Sequence, residues 1–189
     1  MQNKEKLRIK FKKIRKKNYF EVNNNFFKPV FSFLKNSKKK LIKISLYYPT
    51  NYEVNTLKFF ELNNFKKNVI TLLPSIASGE IMKFYRWNYL DVLKVNKYGI
   101  LEPSVKKKII IPDLILVPLL SFDSKNNRLG YGKGYYDKFL NKYLRLNKHI
   151  ITIGVAFSFQ KYNKLPISKH DVKLNYIITE KGLLRGWKY

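Results

Sequence analysis

The chain contains no cysteine, and this absence excludes three kinds of chemistry at once. Disulfide bonds, thiolate zinc sites and cysteine nucleophiles all require the missing thiol. The two histidines, His149 and His170, show no partner pattern typical of a metal site, so we interpret both as structural or surface residues. Ser121 lacks the flanking glycines of a nucleophile elbow, and hydrolase chemistry is therefore not indicated either.

Long apolar runs are also missing. The best candidate, 114–122, is short and contains Pro118, whereas a membrane-spanning helix needs about 20 apolar residues. The charged N-terminal segment has no apolar stretch of the kind found in signal peptides. Together with the lack of cysteine, these features predict a cytoplasmic protein without a membrane partner.

Acidic residues are scarce: the chain has 12 Asp and Glu against 39 Lys and Arg, a net charge of +27. With 16% aromatic residues to stack on bases, this charge leaves a basic nucleic-acid-binding module open as an alternative function. Coding bias is the other explanation, since Lys, Asn, Ile, Phe and Tyr are all abundant and all have AT-rich codons. The lysines are dispersed along the chain rather than gathered into one patch, so we expect no specific nucleic-acid partner.

Helical and strand patterns alternate along most of the chain. Apolar residues recur at helical spacing over 3–18, which predicts a helix with Lys4, Arg8 and Arg15 on one basic face. The alternation predicts a three-layer α/β fold around a mostly parallel sheet, and with no linker we expect one domain over 1–189. Strands are expected at 41–48, 68–73 (stopped by Pro74), 81–87, 109–118, 150–157 and, last, 174–179; further helices at 26–34, 54–62 and 136–143; and an irregular segment at 98–103.

The most informative segment follows the apolar run that ends at Phe122. Gly130, Gly132 and Gly134 fall at alternate positions with Arg128 and Lys133 beside them, and a helical pattern comes next. Glycines let backbone N–H groups approach an anion, and a helix N-terminus adds a positive dipole. A plain flexible turn is the other interpretation of this spacing, which matches neither a Walker loop nor a dinucleotide-binding fingerprint. The position between a strand and a helix favours a site for a nucleotide phosphate.

The same segment, RLGYGKGYYD at 128–137, closely resembles the signature of the 5-formyltetrahydrofolate cyclo-ligases, also called 5,10-methenyltetrahydrofolate synthetases. Other parts of the chain resemble this family in the same order. They are Lys4-x-x-Leu7-Arg8, Tyr47-Tyr48 with Glu53, the segment from Gly99 to Pro103, Leu165-Pro166, and His170-Asp171. The likeness covers nearly the whole chain.

The resemblance implies a Rossmann-like, three-layer α/β sandwich of the NagB/RpiA/CoA transferase-like kind, formed by a single cyclo-ligase domain. It also implies an ATP-dependent ligase of folate one-carbon metabolism, which converts 5-formyltetrahydrofolate to 5,10-methenyltetrahydrofolate and releases ADP and phosphate. In that reaction the formyl oxygen attacks the γ-phosphate, N10 closes the ring, and Mg²⁺ supports the transfer. We expect ATP and the folate as partners of a monomeric chain.

The resemblance further assigns roles to individual residues, in four overlapping sets. The catalytic set is Arg128, Lys133 and Tyr135; the metal set is Asp137 and Asp171; the folate set is Tyr48, Glu53, Tyr131 and Tyr135; and the ATP set is Lys4, Arg8, Arg128, Leu129, Gly130, Tyr131, Gly132, Lys133, Gly134, Tyr135 and Tyr136.

Structural alternatives exist for most of these residues. Lys4 and Arg8 also fit a solvated basic face, Glu53 fits the first turn of a helix, and the tyrosines fit a packed core. Asp171 also fits a helix cap or an ordinary surface position. The family often has a further acidic residue where this chain has Asn175, and an amide supplies no charge. A role for position 175 in metal binding is therefore in doubt.

Overall fold

A computed structural model describes residues 3–35, 40–61, 68–76, 81–104, 108–147 and 149–186. Within these residues it contains three α-helices and eleven β-strands. The helices are α1 (Lys4–Asn18), α2 (Lys28–Lys35) and α3 (Tyr135–Leu146). The strands are β1 (Ile42–Ser45), β2 (Val69–Ile76), β3 (Met82–Arg86), β4 (Leu93–Val95), β5 (Leu101–Pro103), β6 (Leu114–Pro118), β7 (Ser121–Phe122), β8 (Arg128–Leu129), β9 (Ile151–Val155), β10 (Tyr176–Thr179) and β11 (Gly182–Arg185).

Seven of the described strands form one sheet in the order β11-β10-β9-β6-β1-β2-β3. The strands from β10 to β2 are paired in parallel, and β11 and β3 are antiparallel edges. Two small antiparallel hairpins, β4–β5 and β7–β8, lie outside this sheet. A mostly parallel sheet of this kind confirms the predicted α/β class.

The two faces of the sheet are covered by different hydrophobic clusters. Along β6, Leu114 and Leu116 belong to one cluster, whereas Ile115 and Val117 belong to the other. This is the period of two expected for a strand buried on both faces. The first cluster includes the apolar face of α2, and the second includes the apolar face of α3. Helices therefore cover both faces, and the predicted three layers are confirmed.

Helix α1 begins where the sequence predicts, because the Asn3 side chain accepts a hydrogen bond from the Glu5 N–H. Leu7 and Phe11 are buried and pack with Leu129 in β8. This contact places the first turns of α1 beside the β7–β8 hairpin. The glycine segment that follows β8 therefore lies close to the N-terminal end of α1.

Some predicted strand boundaries are wrong. The strand expected over 109–118 begins only at Leu114, after Pro112. β2 continues through Pro74 to Ile76, because the described pairing of β1 with β2 ends at Leu72 and no described bond to β1 needs an N–H at position 74. A proline without an N–H is tolerated at such a position. The segment 174–179 is followed by a further strand, β11, reached through Gly182 in a left-handed conformation (φ 112°).

Two other predicted segments also differ from the structure. The segment 98–103, expected to be irregular, contains β5. The predicted helix over 54–62 is a 3₁₀ helix, Thr56–Glu61. The Asn55 side chain accepts a hydrogen bond from the Leu57 N–H at 3.0 Å, which stabilises its start.

Gly154 in β9 offers a direct test of the packing between the sheet and its second hydrophobic cluster. A Cβ at this position would lie 2.6 Å from Ile177 Cδ1, 2.7 Å from Leu119 Cδ2 and 2.8 Å from Leu174 Cδ1. All three neighbours are buried, so they can yield only by shifting the core. We expect Gly154→Ala to lower the free energy of unfolding by about 1–3 kcal/mol, as overpacking typically does. Urea unfolding measures this change, and a parent-like midpoint would contradict the close approach.

Candidate active site

A cavity of about 390 Å³ opens at the carboxyl ends of β1 and β6, where parallel α/β sheets bind ligands. The start of α1, the segment after β1, the β4–β5 hairpin and the glycine segment after β8 surround it. Every residue assigned to the site from the sequence lines this cavity: Lys4, Arg8, Tyr48, Glu53, all positions from Arg128 to Asp137, and Asp171. The structure thus brings together residues that are up to 167 positions apart.

The glycine segment has the backbone conformation that only glycine adopts without strain. Gly132 and Gly134 have φ values of 101° and 70°. Gly134 immediately precedes α3 and contributes no side-chain cap, so backbone N–H groups in the first turn are left for another acceptor. These groups carry the positive end of the helix dipole. The segment therefore presents backbone donors to an anion, as the spacing predicts.

Glycine also has a second role here that spacing alone does not reveal. A Cβ on Gly130 would lie 2.8 Å from Arg128 Nη1, and one on Gly132 would lie 3.2 Å from Arg8 Cζ. Arg8 Nε donates to the Gly130 carbonyl at 3.0 Å. The missing side chains thus allow two guanidinium groups to lie against the loop backbone, where they add positive charge to the cavity.

The two candidate metal carboxylates each form an ion pair with a candidate phosphate-binding cation. Lys4 Nζ lies 2.5 Å from Asp171 Oδ2, and Arg128 Nη2 lies 2.8 Å from Asp137 Oδ2. Partial burial acts to raise the pKa of Asp171, but the bonds from Lys4 and the Ser168 N–H outweigh it and lower this pKa below its usual value. Among the described residues, no group of three or more His, Cys, Asp or Glu side chains is placed to hold a metal ion.

Asn175 lies outside the cavity lining, and its side-chain oxygen is engaged by Thr152 in β9. Its Oδ1 accepts from the Thr152 N–H at 2.8 Å and from Thr152 Oγ1 at 2.9 Å, and its own N–H donates back to Thr152 Oγ1 at 3.0 Å. These bonds tie β9 to the segment before β10.

His149 and His170 are both exposed.

Glu53 is a buried carboxylate, only 7% exposed, at the end of the segment after β1. Its Oε2 accepts from the Thr50 N–H at 2.9 Å and from Thr50 Oγ1 at 3.2 Å, and its Oε1 accepts from the Tyr131 hydroxyl. Burial raises the pKa of Glu53, while the Tyr131 bond, the Arg15 charge and the Thr50 bonds oppose this shift. Glu53 precedes the 3₁₀ helix by several residues, so it is not the first-turn glutamate of the structural alternative.

The tyrosines of the segment differ in their surroundings. Tyr135 donates its hydroxyl proton to Tyr98, in the turn of the β4–β5 hairpin. The Tyr136 ring lies 5.8 Å from Arg128 Cζ, and burial raises the pKa of its hydroxyl. Among the described residues, the Tyr136 hydroxyl and the Arg128 Nε have no hydrogen-bond partner. Both atoms are buried in residues that line the cavity, and their bonding capacity is unused among the described residues.

The prediction that Arg15 shares a basic surface with Lys4 and Arg8 is wrong, because Arg15 is only 1% exposed. Its position continues the apolar stripe of Leu7 and Phe11 at a spacing of four residues, and this spacing was the available signal. Arg15 Nη1 donates to the Tyr131 hydroxyl at 2.7 Å and to the Leu119 carbonyl at 3.3 Å.

Comparison with known proteins decides among the functions that the site allows. A family model described as the 5-formyltetrahydrofolate cyclo-ligase family matches residues 1–180. The chain belongs to this family. The predicted resemblance is confirmed, and the cyclo-ligase replaces the nucleic-acid-binding module as its function. The chain is accordingly an ATP-dependent ligase of folate one-carbon metabolism.

Individual relatives support the same assignment. The chain is 44% identical over 138 residues to a 5-formyltetrahydrofolate cyclo-ligase of Mycoplasma pneumoniae, covering 72% of each protein. It is 32% identical over 141 residues to that of Haemophilus influenzae, covering 72% of this chain and 74% of the relative. The NMR structure of Aquifex aeolicus 5,10-methenyltetrahydrofolate synthetase superimposes with a TM-score of 0.72 at 32% identity, covering 98% of this chain and 94% of that one.

Some expectations remain predictions for this cyclo-ligase. Among the described residues, no helix has both the length and the apolar character needed to cross a bilayer. Five features stay predictions: the cytoplasmic location, the single domain, the monomeric state, Mg²⁺ and the roles of the individual site residues.

Proposed function

We propose that this chain closes the ring of 5-formyltetrahydrofolate in the cavity between α1 and the glycine segment. The formyl oxygen bonds to the γ-phosphorus of ATP while the bond to ADP breaks. N10 then bonds to the former formyl carbon and loses its proton. The bond between that carbon and its oxygen breaks, and the oxygen leaves as part of phosphate. The observation that carries this proposal is the convergence of backbone donors, four cations and a buried carboxylate on one cavity.

The triphosphate is proposed to lie along the segment from Arg128 to Tyr136. The left-handed glycines and the uncapped start of α3 offer backbone N–H donors there. Lys4, Arg8, Arg128 and Lys133 surround the same backbone with positive charge. Phosphoryl transfer depends on positioning and charge neutralisation more than on covalent help from the protein, and this arrangement supplies both.

Arg128, Lys133 and Tyr135 are proposed to act on the reacting groups. The Arg128 side chain is 5% exposed and fixed by Asp137, so its charge is held at the base of the loop. Lys133 is exposed on the loop, and its amino group lies 5.8 Å from the centre of the Tyr98 ring. Tyr135 bonds to the same Tyr98. Lys133 and Tyr135 thus face the β4–β5 hairpin, across which the formyl group would meet the γ-phosphate.

The pterin ring is proposed to bind at Glu53, with Tyr48, Tyr131 and Tyr135 around it. An ionised carboxylate accepts hydrogen bonds at both oxygens and suits the paired N–H donors of an aminopyrimidine. Glu53 lines the cavity in the segment after β1, and Tyr131 from the glycine segment donates its hydroxyl proton to it. Aromatic rings at this point can stack on the pterin while their hydroxyls bond to its polar edge.

Mg²⁺ is proposed to accompany the triphosphate, with Asp137 and Asp171 as its protein carboxylates. Two carboxylates fit this ion, since Mg²⁺ usually takes one or two from the protein and completes its shell with phosphate oxygens and water. Both carboxylates line the cavity, and each is paired with a cation that the phosphates would attract. The ion would neutralise charge on the phosphate oxygens. The donor chemistry of the site therefore suits a metal shared with ATP rather than one held by protein alone.

A single-domain monomer is proposed as the active form. One cavity collects residues from α1, from the centre of the chain and from Asp171, so one copy provides every group assigned to the reaction.

The experiment that tests the proposed function follows the absorbance of 5,10-methenyltetrahydrofolate with the purified chain. We expect product only when 5-formyltetrahydrofolate and ATP are both present, with one ADP formed per product. Chelation of divalent cations by excess EDTA is expected to stop turnover, and added Mg²⁺ to restore it. ADP release at the same rate without the folate would contradict the proposal, and turnover unaffected by EDTA would remove the metal from it.

A further inference from the structure

Arg15 is a charged side chain buried where a leucine would be expected. Arg15 is 1% exposed, and it lies on the same buried face of α1 as Leu7 and Phe11. Its hydrogen-bond acceptors are both neutral, the Tyr131 hydroxyl and the Leu119 carbonyl. Among the described residues, its Nε and Nη2 have no hydrogen-bond partner. Burying such a group is costly, so a compensating negative charge should lie near it.

That negative charge is the Glu53 carboxylate, which Arg15 reaches through one tyrosine. Arg15 Nη1 donates to the Tyr131 hydroxyl oxygen at 2.7 Å, and the same hydroxyl donates to Glu53 Oε1. A guanidinium can only donate, and a hydroxyl has one proton. The Tyr131 proton must therefore point at Glu53, so Arg15 fixes the direction of this bond. Arg15 Cζ also lies 5.5 Å from the centre of the Tyr131 ring, which restrains the ring itself.

We propose that Arg15 is a positioning residue of the folate site, which acts through Tyr131 to hold Glu53 ionised and correctly oriented for the pterin. Tyr131 and Glu53 line the cavity, whereas Arg15 lies behind them and is absent from its lining among the described residues. The inference rests on the proposed role of Glu53 in folate binding.

The charges around Glu53 determine the sign of the expected pH effect. The phenols of Tyr47, Tyr131 and Tyr136 surround it and stay neutral at ordinary pH, since burial raises the pKa of each. Arg15 is the cation that opposes the effect of burial on the pKa of Glu53. Removing Arg15 therefore raises this pKa further, and the ionised carboxylate is lost at a higher pH as the solution is acidified.

The test compares Arg15→Met with Arg15→Lys and with Lys16→Met, which removes an exposed charge from the same helix. We expect Arg15→Met to raise KM for 5-formyltetrahydrofolate about tenfold at neutral pH, the usual scale for one charge-assisted hydrogen bond. KM for ATP should change less than KM for the folate. The acidic limb of the kcat/KM profile for the folate should move to higher pH. Arg15→Lys should restore much of the parent profile, and Lys16→Met should match the parent.

Other outcomes separate the competing explanations. An Arg15→Met enzyme with the parent's pH profile and folate KM would overturn the positioning role, and so would equal losses for ATP and folate with an unshifted profile. Should Arg15→Met fail to fold, Tyr131→Phe breaks the same connection and must shift the acidic limb in the same direction. A parent protein without folate-dependent turnover would instead overturn the proposed function itself.

Discussion

Replacing Lys133 by alanine is expected to lower kcat about 100- to 1,000-fold, the range seen when one preorganised charge-stabilising donor is removed. Lys133 is exposed on the glycine segment at the cavity, and its charge is proposed to act on the transferring phosphoryl group. Because its side chain is not buried in the core, the fold should survive the change. Steady-state kinetics and thermal unfolding on the same preparation measure both effects.

The matched control for this variant is Lys138→Ala, which removes another exposed lysine one turn into α3. Lys138 is not part of the cavity lining. Its loss should leave kcat near the parent value. Equal losses of kcat in the two variants would show that general positive charge, rather than the position of Lys133, serves the reaction. A parent-like kcat in Lys133→Ala would remove Lys133 from the reaction.

Changing Glu53 to glutamine is expected to lower kcat/KM for 5-formyltetrahydrofolate about 10- to 100-fold, the scale of a hydrogen bond to a charged group. Glutamine keeps the shape of the side chain but can accept at only one end. Both carboxylate oxygens of Glu53 now accept hydrogen bonds, from Thr50 and from Tyr131, so the amide leaves one of these donors unmatched. KM for ATP should change less, because the Lys4 and Arg128 cations proposed to bind the triphosphate are held by Asp171 and Asp137 rather than by Glu53.

Glu61→Gln is the control for the glutamate substitution. Glu61 is an exposed carboxylate that pairs with Lys58 at 2.7 Å on the 3₁₀ helix after the Glu53 segment. Its neutralisation should leave both KM values unchanged. Parent-like folate kinetics in Glu53→Gln would remove Glu53 from the pterin site, whatever the result for the control.

The carboxylates show how the charge of the chain is arranged. Three of the 12 acidic residues, Glu53, Asp137 and Asp171, line the cavity beside four cations. Among the described residues that line it, the cavity is therefore nearly balanced, and most of the positive surplus lies elsewhere.

The glycine segment was predictable because its information is local. Gly132 and Gly134 adopt left-handed conformations, and the N-terminus of α3 follows at once. The apolar run through β6 likewise indicated a strand buried on both faces. In each case a few neighbouring residues determine the result, so spacing and composition were enough.

The remaining features depend on contacts that spacing cannot show. Lys4 pairs with Asp171 across 167 positions, and Arg128 pairs with Asp137 across a turn. Arg15 was expected at the surface because it is charged, whereas its place in the helical stripe of Leu7 and Phe11 buries it. Tertiary packing decided each of these outcomes.

The triphosphate of ATP is proposed to lie on the backbone between Arg128 and Asp137. Titration of the ¹⁵N-labelled chain with Mg²⁺ and a non-hydrolysable ATP analogue tests it most directly. We expect the amide signals of Gly130, Gly132, Gly134 and the first turn of α3 to shift most. Saturable shifts centred on another surface, with these amides unmoved, would contradict it.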